Sequence, residues 1–179
     1  MKRAAMLYCA DCDAPRFKVL ASRDQLPFLT PDNVEHERRL PYTLEHAFFL
    51  RLTLDMIGAD VRKNPLLTGI PASTAASVIS NVAFFAREAL EERVDDYWVG
   101  QMIVREEGSD SGPLEFSSWF IGPLAILQNR ISEECETVSQ ETKQSVLRVN
   151  IVNAARASQF VRTRAEDLGL TDAQLRGCE

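Results

Sequence analysis

Residues 43–58 place the strongest constraint on any fold this chain can adopt. Thr43 is suited to cap a helix and Gly58 to close one, and between them run Leu44, Ala47, Phe48, Leu52 and Met56. The same stretch also alternates, at Phe48, Leu50, Leu52, Leu54 and Met56, as a strand would. Its length, its cap, its closing glycine and the Arg51/Asp55 pair at i,i+4 predict a helix. A helix this apolar is buried on most sides, so the rest of the chain must wall it in.

The flanking sequence offers the walls. Residues 4–12 read as a short helix, and a break at Asp13-Ala14 precedes Pro15, whose fixed φ suits a first helical turn. Phe17, Leu20 and Ala21 then recur at helical spacing, with Leu26-Pro27 expected to end that helix. Residues 28–41 are polar, contain Pro31 and Pro41, and read as a loop or small wing. After a linker at 59–70, Pro71 starts a long helix whose stripe is Ala75, Val78, Ile79, Val82, Phe85, Ala86, Ala89 and Leu90.

Beyond Val94 the pattern changes. Tyr97–Val104 and Leu114–Ile121 are rich in aromatic and β-branched residues, and the turn Gly108–Pro113 between them predicts a hairpin. Gly122-Pro123 opens a helix carrying Leu124, Leu127 and Ile131. Val146–Val152 is a candidate third strand, and Asn153 caps a last helix with Ala157, Phe160, Val161, Ala165 and Leu168, ending at Gly169. Helices first and a ββαβα unit afterwards predict the α+β class, with a short sheet containing antiparallel strands.

With 45% hydrophobic residues, 179 positions suffice for a real core. No stretch approaches the roughly 18–20 apolar residues that cross a bilayer. Cys9, Asp11 and Asp13 interrupt the start too soon for a signal peptide, so no membrane association and a cytoplasmic location are expected. The four cysteines then read as reduced thiols. Net charge is −6, unevenly spread: residues 1–63 hold 10 Lys/Arg and 9 Asp/Glu, the remainder 10 and 17. Only the first third can meet a phosphate backbone without net repulsion.

That third is also the informative one. A short helix, a tight break and a second helix bearing Arg16, Lys18 and Arg23 form the arrangement that lets a helix enter a major groove. Pro15-Arg16-Phe17-Lys18-Val19-Leu20, then Asp24-Gln25-Leu26-Pro27, then Arg38-Arg39-Leu40-Pro41-Tyr42-Thr43-Leu44-Glu45-His46-Ala47 follow in order. Over roughly the first 58 residues this resembles the MerR-like winged helix-turn-helix regulators, with Asp24 standing where glycine is usual. The resemblance implies a winged helix-turn-helix-like module over residues 1–68 and a dimerisation, effector or partner-binding region over 69–179. It places Arg16, Lys18 and Arg23 on the helix that faces double-stranded DNA and Arg38 and Arg39 on the wing, mostly as phosphate contacts. The other reading makes all five solvated surface cations on a structural module, within an adaptor that binds proteins.

The remaining motifs point to no catalyst, cofactor or metal. Cys9-Ala10-Asp11-Cys12 is a lone CxxC, and with His36 and His46 it matches no common finger spacing. There is no G-x-S-x-G and no phosphate-cradling glycine loop, so an enzyme is not expected. Asp95-Asp96 and Glu106-Glu107 flank the first strand, as acids near hairpin ends do for solubility or, alternatively, for acid–base or cation-binding work. Tyr97, Trp98, Phe116, Trp119 and Phe120 put aromatics on both faces of the hairpin. They pack between helical layers, or one face over residues 97–121 docks a second subunit or another protein. No heptads support a coiled-coil dimer.

Overall fold

The computed structural model describes residues 1–29, 41–58, 69–91, 94–107, 113–136 and 143–170. In chain order the elements are α1 (Arg3–Ala10), α2 (Ala14–Ser22), α3 (Leu44–Ile57), α4 (Ala72–Glu91), β1 (Trp98–Glu107), β2 (Leu114–Gly122), α5 (Leu124–Glu136), β3 (Lys143–Asn153) and α6 (Ala154–Asp167). The class is α+β. No helix among the described residues is long and apolar enough to cross a membrane.

α3 is a helix and is enclosed as its composition requires. Leu44, Ala47–Leu54 and Met56 are all buried. Thr43 accepts the His46 N–H at its N-terminus, and Gly58 closes the other end at φ +71°, where a side chain would be strained. α1, α4 and α6 pack around it. Two buried polar side chains on α3 are satisfied locally. Thr53 donates to the Phe49 carbonyl at 2.8 Å, and Arg51 pairs with Asp55 while lying 5.0 Å from the Phe160 ring centre.

The sheet is three-stranded and antiparallel, in the order β2-β1-β3. Its alternation splits the core in two. Val99 and its partner Val152 join the large cluster formed by α1–α4 and α6, whereas Met102, Val104 and Phe120 form a smaller one with Leu127 of α5. The hairpin is therefore packed between two helical layers near its base. The turn expected at 108–112 lies outside the described residues, as does the division expected after residue 68. On either side of that division the large core is continuous.

Three expectations need correction. α2 ends at Ser22 rather than at Leu26-Pro27. Asp24 adopts φ +53°, the Asp24 N–H bonds to Ala21 O and the Gln25 N–H to Leu20 O, a closure that stops the helix early. Phe85 lies at the margin of the α4 stripe and is 44% exposed, and Leu168 lies past the end of α6, also exposed.

At Gly100 the backbones of β1 and β3 approach too closely for a side chain. A Cβ at this position would overlap the carbonyl oxygen and carbon of Asn150, which are backbone and cannot swing aside. Gly100→Ala is accordingly expected to lower stability by about 2–3 kcal/mol or more in chemical denaturation, well above the effect of a surface substitution.

Candidate nucleic-acid interface

α1 and α2 are joined by a turn that the sequence builds from aspartates. Asp11 closes α1 at φ +56°, with its N–H on Tyr8 O and the Cys12 N–H on Leu7 O. Asp13 then caps α2, accepting the Arg16 N–H at 2.6 Å, with Pro15 in the first turn. Phe17, Leu20 and Ala21 anchor α2 in the core, and Phe17 meets Tyr42 edge-on at 6.2 Å between ring centres.

The opposite side of α2 faces solvent. At about 100° per residue, Pro15, Val19 and Ser22 run down its middle. Arg16 and Arg23 lie along one flank and Lys18 along the other. Lys18, Val19, Ser22 and Arg23 are exposed and Arg16 is half-buried. Three of the five expected cations thus share the outward side of one helix. Arg38 and Arg39 lie outside the described residues, as does His36.

Two neighbours tune this surface. Asp11, which would otherwise add negative charge beside α2, is paired with Arg164 of α6 at 3.2 Å. The same guanidinium lies over the Tyr8 ring at 4.2 Å, so α6 clasps the N-terminal helix pair. Val19 lies between the cations. Its place there follows only once the core-facing residues of α2 are known.

His46 belongs to the α3 cap. Its Nδ1 accepts the Thr43 N–H at 3.0 Å, completing a reciprocal capping box, and its ring lies against Phe28 at 4.9 Å and Tyr42 at 5.9 Å. Burial lowers its pKa, with the Met1 amino group acting in the same direction and Glu45 opposing them. Cys9 and Cys12 are buried free thiols. Desolvation raises both, Cys12 to about 11, with Asp13 and Asp11 also raising it and Arg16 opposing. Such thiols stay protonated and are poor nucleophiles and ligands.

One member of each acidic pair is engaged structurally. Asp96 accepts Trp98 Nε1 at 2.7 Å and the Leu124 N–H at the start of α5, and Glu106 accepts Gln144 Nε2 at 3.2 Å. Asp95 instead borders a groove of about 320 Å³ along α6, with Arg156, Gln159, Arg162 and Glu166. The residues lining that groove include no histidine, cysteine or lysine, and hold two arginines and two carboxylates.

No known protein family, curated protein or solved structure matches this chain.

Two outcomes follow from this chemistry. Because folding lowers the His46 pKa, the unfolded chain holds that proton more tightly. The cap's contribution is therefore complete above the unfolded value near pH 6.5 and declines as pH falls below it. In denaturation curves between pH 8 and 5, wild type should lose up to about 1 kcal/mol relative to His46→Gln, whose amide can cap without titrating; parallel curves would count against the assignment. At pH 8, alkylation followed by peptide mass mapping should find Cys12 at least about 100-fold slower than a free thiol.

Proposed function

We propose that the chain is a double-stranded DNA-binding regulator of helix-turn-helix type, with α2 as the helix that meets the duplex. The observation that carries this reading is the outward face of α2. Arg16, Lys18 and Arg23 flank a short, narrow strip of small or apolar side chains on a helix held rigidly from behind by Phe17, Leu20 and Ala21. Asp24 supports it further. This residue stands where the resembling MerR-like proteins carry glycine, and it adopts the left-handed conformation glycine favours.

The cations act mainly on phosphates, since long flexible side chains flanking a helix supply charge rather than base-specific geometry. The duplex approaches the N-terminal third, away from the acidic remainder. A cytoplasmic location and a second subunit or protein partner at the hairpin 97–121 go with this role, and no catalytic step is assigned.

One observation favours the adaptor reading. Phe84 and Phe85 of α4 are 73% and 44% exposed with ring centres 5.2 Å apart, a pair suited to protein contact. Binding to random duplex DNA measured across a salt series separates the two readings. A regulator gives affinity that falls steeply with salt, and Arg16→Ala/Lys18→Ala/Arg23→Ala should reduce the log–log slope by about 2–3. An absence of binding at about 50 mM salt leaves the adaptor.

A further inference from the structure

The two outer strands of the sheet are guarded differently. β3 carries an exposed Arg148, and its ladder with β1 shifts register between Ile103 and Val104. Charges and bulges are the usual obstacles to edge-to-edge pairing. β2 has no lysine, no proline and an unbroken register from Trp98↔Gly122 to Glu106↔Leu114. Its first half, Leu114–Ser117, is exposed, with Leu114 52% and Phe116 41% accessible.

The backbone of this half points its spare groups outward. The Trp119 carbonyl accepts Arg130 Nη1 at 2.8 Å, which identifies the odd-numbered residues of β2 as those whose polar groups turn away from β1. Arg130 also donates to Ser118 Oγ, so the inner end of the edge is covered. Among the described residues, no side chain bonds the outer backbone of Glu115 or Ser117.

We infer that the β2 edge pairs antiparallel with β2 of a second copy about a twofold axis at Phe116, joining two sheets into one of six strands. The register is set by what lies at each end. Pro113 has no N–H to give and Trp119 is already engaged, so pairing is confined to residues 114–118. Centring on Phe116 makes Glu115 and Ser117 the hydrogen-bonded pair with Ser117 and Glu115 of the other copy. It also makes Phe116 the close, non-hydrogen-bonded pair with itself. Leu114 then faces Ser118. No like charges oppose each other, and Glu115 keeps its own Arg105 at 2.6 Å. A strand whose outward backbone groups match those of its own copy, and whose one charge is held by Arg105 of the same chain, fits a second copy, which is how isologous dimers form. This gives the hairpin contact proposed above a definite form, and it does not depend on whether α2 binds DNA.

Sedimentation equilibrium on the full chain tests it. Wild type should dimerise, and Phe116→Lys, which sets two ammonium groups against each other, should weaken the dimer at least about ten-fold. Ile126→Lys, at an exposed position of α5, should leave it unchanged. Hydrogen exchange on the wild type gives a readout independent of any variant: the Glu115 and Ser117 amides should gain protection as protein concentration rises. A chain monomeric to about 100 µM, a dimer indifferent to folded Phe116→Lys, or concentration-independent exchange at those two amides overturns the inference. DNA binding scored on the same variants keeps the two proposals separate, since a monomeric variant that still binds DNA affects only this one.

Discussion

A helix apolar on most of its sides cannot leave them open to water, and α3 sets that condition for the whole molecule. Each large side chain it buries is worth about 1.5–3 kcal/mol only if a neighbour excludes water from it. α1, α4 and α6 each supply one wall, and the near end of the sheet contributes through Val99 and Val152. The two buried polar side chains on α3 are satisfied locally. Thr53 bonds back to its own helix, and the Arg51 charge is held by Asp55 one turn on, against the face of Phe160.

Much of this could be read in the sequence because it is local. Caps at Thr43 and Asn153, Pro15 in a first turn, the closing Gly58, and the periods of 3.6 and 2 depend on residues a few positions apart, and they place the elements nearly where they fall. The strand-like alternation from Phe48 to Met56 misleads only in isolation. A helix with every face buried has apolar residues at all spacings, period 2 included. The misjudged features are those that residue type and spacing do not signal. The end of α2 depends on a left-handed aspartate, a conformation a non-glycine residue adopts only a few per cent of the time. Phe85 depends on which flank of α4 the sheet covers.

The site was legible to a similar depth. Arg16, Lys18 and Arg23 stand out by spacing, and their common outward side follows once Phe17, Leu20 and Ala21 are recognised as core. The groove along α6 had no signature, since Asp95 and Arg156 are far apart in sequence and line one groove only because Asn153 returns the chain beside Tyr97, whose carbonyl accepts the Ala154 and Ala155 N–H groups at 2.7 and 3.2 Å. The CxxC illustrates the converse. Its spacing is visible, but its chemistry is set by burial beneath the helix pair, which raises both thiols.

Arg164 links these parts into one mechanical unit. It reaches from the last helix to Asp11 in the turn between α1 and α2, stacks over Tyr8, and also lies 5.3 Å from Phe160, whose ring meets Arg51 of α3. The exposed half of the Asp11 pair makes the ion pair itself worth little. Its effect is geometric, because the planar guanidinium fixes the turn against α6 while the aromatic stack excludes water from its apolar faces. A helix offering only three flanking cations to a polyanion has few contacts to lose. Under the proposed reading, a backbone held in place would lower the ordering entropy that opposes binding, which ties the clasp from α6 to the outward face of α2.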